Sequence, residues 1–170
     1  MIVFSQIGFI IAVFILAVGT AWAHWRGAGD FTVFYEAWRL VLDGKGLSIY
    51  HATPDRFLYA PGFAWLFSPL GLLPKTVALA VWSTFKALAV GLVVRGLARI
   101  MNVPIGLVAW GVVGAARPVL IDMQYGQVNL LVMAAGAWAL LTHFQASRPR
   151  SREVFVAWLV LGIAAASKLL

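Results

Sequence analysis

The chain has 170 residues, of which 62% are hydrophobic and 11% charged, and its mean hydropathy is +0.91. Soluble domains carry about 45–50% apolar and about 25% charged residues, so these residues are too apolar to clothe a water-facing surface, whereas a bilayer accepts apolar side chains on the outside. The net charge of +7 is spread along the chain with no basic stripe on a helix, which argues against nucleic acid, and the lack of cysteine excludes disulfides and thiolate metal sites.

Residues 2–23 carry no charge and are long enough to cross the hydrocarbon core. Ala21-Trp22-Ala23 has the form of a signal-peptidase site, but no basic segment precedes the apolar run. The stretch therefore reads as an uncleaved first span. Residues 24–56 form the main polar interval and hold four of the six acidic residues: Asp30, Glu36, Asp43 and Asp55. Within it, Phe31, Phe34, Tyr35, Trp38, Val41 and Leu42 recur at helical spacing, with Thr32, Glu36, Arg39 and Asp43 on the other face. The spacing predicts an amphipathic interfacial helix over 31–42, with Asp30 as its N-cap and Gly44 as its stop. Residues 57–74 are apolar but interrupted by Pro61, Pro69 and Pro74 and by Gly62 and Gly71. They either cross with kinks or lie in the interface.

Residues 77–97 predict a second span, with Lys86 near its middle and Arg95 and Arg99 towards its end. Lys86 has no partner that the sequence names. Residues 103–120 predict a third, broken near its end by Arg117-Pro118. A polar knot follows, Asp122-Met123-Gln124-Tyr125-Gly126-Gln127-Val128-Asn129, and the helix over 130–142 starts inside it. Residues 143–153 are a basic loop with Arg148, Arg150 and Arg152, and a last span over 154–170 stops within its apolar run. That ending predicts an N-terminal fragment of a longer protein, inactive without the remaining spans. By the positive-inside rule the basic loop is cytoplasmic, Arg95 and Arg99 lie on its side, and the knot faces outward. For the 24–56 loop, Arg26, Arg39, Lys45 and Arg56 favour the cytoplasm, while the short, proline-broken 57–74 favours the outside.

The order of several pieces carries a resemblance. Gly29-Asp30-Phe31-Thr32-Val33-Phe34-Tyr35 stands just after the first span. Asp43-Gly44-Lys45-Gly46-Leu47-Ser48-Ile49-Tyr50 follows, then Phe57-Leu58-Tyr59-Ala60-Pro61, Ser68-Pro69-Leu70 and Leu72-Leu73-Pro74. Later come Tyr125-Gly126-Gln127-Val128-Asn129-Leu130-Leu131 and Ala165-Ala166-Ser167-Lys168. From about residue 28 onward the chain resembles glycosyltransferase family 87, polyprenyl-phosphate-dependent mannosyltransferase-like enzymes of the GT-C membrane fold. It departs from the family where Ala60 replaces the first of two prolines, and where the chain ends before the proline that follows the lysine. The resemblance implies an all-α polytopic bundle of about five spans with interfacial amphipathic helices. It also implies a single transmembrane domain over 1–170, with an extracytoplasmic loop over 24–74 and residues 57–74 in the interface.

The reaction so implied moves a hexose, by family default mannose, from a polyprenyl-phosphate donor to a hydroxyl of a glycan or glycolipid acceptor. Asp30 is the candidate base, and Lys168 the candidate for the donor phosphate, with Arg56 and His51 as weaker ones. Gln124, Gln127 and Asn129 offer hydrogen bonds to sugar hydroxyls, and Tyr59 can stack on or bond a sugar. Each has a plainer role: a helix cap for Asp30, snorkelling for Lys168, interhelical bonding for the amides and interfacial anchoring for Tyr59. His24, His51 and His143 show no metal-ligand spacing, and no cofactor or metal is expected. The Ala-, Val- and Gly-rich composition suits a multi-pass protein of a bacterial plasma membrane. The rival reading is a non-catalytic membrane protein, a transporter or scaffold subunit, which would not need Asp30 at the membrane surface.

Overall fold

A computed structural model describes residues 2–52, 57–145 and 152–166, and every regular element among them is helical. The helices are α1 (Ile2–Arg26), α2 (Gly29–Leu42), α3 (Ile49–Ala52), α4 (Pro61–Phe67), α5 (Lys75–Met101), α6 (Ile105–Gly114), α7 (Ala116–Tyr125), α8 (Asn129–Gln145) and α9 (Arg152–Ala166). Two of them, α1 and α5, are long and apolar enough to cross a membrane, and α6 with α7 is a third if that pair, bent by 73°, is one span. The shorter α8 and α9 occupy the remaining two positions where the sequence predicts spans. The bend has a covalent cause. Pro118 has no N–H to offer the carbonyl of Gly114, so α6 ends there and α7 restarts beyond Ala115.

Small residues set the packing of α1. Ser5, Gly8, Ala12, Ile15, Gly19 and Ala23 recur every three or four positions and are the buried face. Gly8 and Gly106 mark the tightest crossing: a Cβ at Gly106 would fall on the carbonyl oxygen of Ser5, and one at Gly8 would stand 2.5 Å from the carbonyl oxygen of Gly106. The opposite face, with Ile2, Val3, Phe4, Ile10 and Phe14, is exposed and faces lipid in a membrane. Further along, Gly19 meets Met123, so α1 runs in the same direction as α6 and α7. Likewise α5 meets the start of α8 at Lys86 and its later turns at Gly96, against Leu141.

The bundle therefore has two distinct ends. One holds the start of α1, the α5–α6 turn and the end of α8. The other holds α2, α4, the start of α5 and the α7–α8 turn. At this second end α2 buries Phe31, Val33, Phe34, Ala37, Trp38 and Val41. Leu42 is exposed and Tyr35 half-buried, so the buried stripe is turned slightly from the predicted one. Tyr35 instead donates its hydroxyl to the Leu73 carbonyl at 2.8 Å. Edge-to-face ring pairs tie α2 to its neighbours: Phe34 lies 5.1 Å from Phe63 of α4 and 6.1 Å from Trp82 of α5. Such pairs contribute about 0.5–1.5 kcal/mol each beyond area burial.

Residues 57–74 do not form one long helix. Pro61 opens α4, Pro69 opens a 3-10 turn over Ser68–Leu72, and Pro74 caps α5. Neither piece is long enough to cross a membrane, and both lie against α2 and α5. At the far end of α2, Gly44 adopts φ +72° and Lys45 N–H reaches the Leu40 carbonyl at 2.8 Å, the predicted stop. The predicted N-cap is corrected. Ala28 is the N-cap residue, without a side-chain bond, and Asp30 lies inside the first turn. The first turn closes where the Thr32 N–H reaches the Ala28 carbonyl at 3.0 Å. The Asp30 carboxylate is thus not engaged in capping.

The glycine crossing gives a prediction. Gly106→Ala should destabilise by about 1–3 kcal/mol through overpacking on Ser5. Gly111→Ala, where a Cβ meets open space, should be neutral or stabilise by up to about 1 kcal/mol through helix propensity. Thermal unfolding in detergent measures both.

Candidate functional site

The polar knot is held by α5. Lys86 is fully buried and Asp122 is 3% exposed. The Lys86 Nζ donates to Asp122 Oδ1 at 2.8 Å, to the Asp122 carbonyl at 2.8 Å and to the Gln127 carbonyl at 3.2 Å. An ammonium has three protons, so each has an acceptor. The second carboxylate oxygen of Asp122 accepts the N–H of Leu130 at 3.2 Å, and the Asn129 N–H also lies towards the carboxylate. Asp122 therefore closes α7 with its backbone and caps α8 with its side chain. One turn before Lys86 on the same face of α5, Trp82 donates its indole N–H to the Gly126 carbonyl at 2.8 Å.

Sequence reading found the knot but missed this pair. The signal was present in the charges: Asp122 is the only acidic residue between Asp55 and Glu153. A cation buried in that apolar stretch had one carboxylate of its own half to meet.

Asp30 is carried to the knot by the first turn of α2. Gly126 adopts φ +71°, and a Cβ there would stand 2.5 Å from the Phe31 Cβ and 3.2 Å from the Ala28 Cβ. Only glycine satisfies both the left-handed turn and this approach. Asp30 lies between these contacts, half-buried, in electrostatic range of Lys86 and Tyr59. The Tyr59 ring meets Phe34 edge-on at 4.9 Å and stacks on Phe63 at 5.4 Å. Its backbone carbonyl accepts the Tyr50 hydroxyl at 3.0 Å. Burial, then the negative charges of Asp30 and Asp122, push the Tyr59 phenol up to about 12, so it stays a neutral donor.

Among the sequence-predicted residues, the structure thus brings together Asp30, Tyr59, Gln127 and Asn129. The Asn129 side chain donates to Gln127 Oε1 at 2.7 Å, which leaves the Gln127 amide donors and the Asn129 oxygen to a further partner. Gln124 is half-buried in the last turn of α7, and His51 is exposed on the short α3, with no described contact to Asp30. Arg56 and Lys168 lie outside the described residues.

The model of Glycosyltransferase family 87 matches residues 57–170, more than half of the chain. The chain belongs to glycosyltransferase family 87. No curated protein and no solved structure matches it. The family 87 match takes in Tyr59, Lys86 and the knot, while Asp30 stands ahead of it. Within this family 87 chain, Lys86 is a structural cation, since its protons are all engaged. Its charge is balanced by Asp122, so the local sum with Asp30 is negative, and an anionic substrate group would need a cation from elsewhere.

Two predictions follow from this geometry. Lys86→Met leaves a buried carboxylate unpaired and should destabilise by about 3–5 kcal/mol. Lys86→Met with Asp122→Leu should recover most of that loss, falling short by about 1 kcal/mol for the missing α8 cap; chemical or thermal unfolding in detergent reads both. For Tyr59, the folded pKa near 12 lies above the usual 10. The folded state then holds a proton that the unfolded state releases, so this stabilisation is full below pH 10 and is lost as pH rises towards 12. Ultraviolet phenolate titration should show one late component that Tyr59→Phe removes.

Proposed function

We propose that this chain belongs to an enzyme that transfers a hexose, by default mannose, from a polyprenyl-phosphate donor to an acceptor hydroxyl of a glycan or glycolipid. The observation that carries the proposal is the position of Asp30. In a family 87 chain, an uncapped carboxylate stands half-buried beside a polar knot, at the end of the bundle where short aromatic helices lie.

In this reading Asp30 takes the proton of the acceptor hydroxyl as its oxygen attacks the anomeric carbon. The bond from that carbon to the phosphate oxygen breaks, and the prenyl phosphate leaves with the electron pair. Positioning contributes more here than basicity, because a well-placed acceptor already removes much of the entropic barrier. Tyr59, Gln124, Gln127 and Asn129 hydrogen-bond sugar hydroxyls. Arg56, Lys168 and His51 are the candidates for the donor phosphate. Lys86 is not, since its three protons are engaged within the fold. The leaving group is a phosphate monoester without a diphosphate, and no resident metal is part of the proposal.

Transfer on the extracytoplasmic side, in a bacterial plasma membrane, is part of the same proposal. The end opposite Asp30 carries Arg95, Arg99 and Arg152 and the Asp30 end carries Arg26, Arg39, Lys45 and Lys75, so the basic residues do not choose a side and this part of the proposal rests on the family resemblance. Short α4 and the 3-10 turn keep α2 and the start of α5 at one end of the bundle, so one side serves the whole site.

The test is Asp30→Asn in the full-length protein, assayed in membranes with a radiolabelled polyprenyl-phosphate hexose. Transfer should fall by about 10²–10⁴-fold while the thermal midpoint holds. Transfer at the unmutated rate would remove Asp30 from the mechanism, and transfer from a nucleotide sugar in place of the lipid donor would remove the donor assignment.

A further inference from the structure

The turn between α5 and α6 borders an open cleft of about 470 Å³ at the end of the bundle away from Asp30. Lys86 and Arg99 are thirteen residues apart on α5, about 20 Å along the helix axis. Arg95 and Arg99 stand one turn apart on one wall, Asn102 closes the turn, and Ala98, Val103 and Ile105 supply an apolar floor. Both arginines are exposed. The one ion pair among the described residues is Lys86–Asp122, so neither guanidinium faces a carboxylate there.

The ordinary duty of basic side chains at a helix end is already performed by the backbone. Asn102 takes the left-handed conformation, at φ 51°, and its N–H caps the Ala98 and Arg99 carbonyls. Val103 N–H also reaches the Ala98 carbonyl, at 3.1 Å. Two like charges at positions i and i+4 repel each other; the C-terminal end of α5 favours them in part, but no carboxylate among the described residues pairs with either. An anion between the two guanidiniums would pair with both. Each presents a planar fork that fits two oxygens of a phosphate, and the Asn102 amide adds a neutral donor beside them. The apolar floor suits the glycerol and first methylenes of a lipid.

We propose that Arg95, Arg99 and Asn102 form a binding site for a phosphate group, presented by the headgroup of an anionic membrane lipid at the end of the molecule opposite the transfer site. The site is independent of the glycosyl transfer proposed above, and transfer activity is not its readout. Free inorganic phosphate has the same recognition chemistry, so the test carries an arm for each source.

The full chain, purified in a neutral detergent, is examined by native mass spectrometry with phosphatidylglycerol, with phosphatidylcholine and with inorganic phosphate as probes. Phosphatidylglycerol should be retained in preference to phosphatidylcholine. Arg95→Gln with Arg99→Gln should reduce its retention roughly tenfold, the scale of a lost charge-assisted contact, and Arg95→Lys with Arg99→Lys should fall between. Displacement by equimolar inorganic phosphate would assign the site to the free anion, and persistence of the lipid would assign it to the headgroup. Equal retention by wild type and the glutamine pair, or equal retention of the two lipids, would overturn the proposal. If the glutamine pair fails to fold, rising salt on the wild type decides: it must release phosphatidylglycerol and leave phosphatidylcholine in place, and a salt-insensitive adduct would also overturn the site.

Discussion

A lysine inside a membrane helix must be paired or pay the cost of a bare charge in hydrocarbon, about 2.5–3.5 kcal/mol on insertion scales. Lys86 answers that constraint with one carboxylate and two carbonyls, all drawn from residues 122–127. The consequence is more than local. The carboxylate that neutralises Lys86 also caps α8, and the carbonyls belong to the turn that separates α7 from α8. One buried cation therefore fixes where α7 stops, where α8 starts and how both sit on α5.

Once the knot is fixed, the rest of the Asp30 end has a surface to build on. Gly126, held by the Trp82 indole, lets the first turn of α2 approach closely, and α2 brings its aromatic face onto Phe63 and Trp82. Asp30 from α2 lies within electrostatic range of Tyr59, whose ring packs into that aromatic cluster against Phe34 and Phe63. At the other end nothing comparable is present among the described residues: the α5–α6 turn is short, open and lined by arginine. The two ends differ in chemistry because charge pairing organises one of them and leaves the other exposed.

Much of this was legible in the sequence. The two long apolar helices α1 and α5, the breaks at Arg117-Pro118 and at the knot, the stop at Gly44 and the proline-divided 57–74 all follow from apolar length and from the backbone limits of proline and glycine. The family was legible from the order of its motifs. What escaped was tertiary. Asp30 has the residue type and position of an N-cap, but the helix starts at Gly29, two residues earlier than predicted, and this places the carboxylate inside the first turn. Lys86 and Asp122 are thirty-six positions apart, and no local pattern joins them; only the scarcity of acids in the apolar stretch points from one to the other. The roles of Lys168 and Arg56 lie beyond the described residues.

The account rests on the Asp30 end facing out of the cell and the arginine end facing in. The chain has no native cysteine, so single cysteines report sidedness without background. Asp43→Cys, at the exposed end of α2, and Gln145→Cys, at the last residue of α8, would be treated in intact cells with a membrane-impermeant maleimide. The account predicts that position 43 labels at once and position 145 only after the cells are opened. Protection of position 43 until the cells are opened would put Asp30 in the cytoplasm and contradict transfer at an extracytoplasmic site.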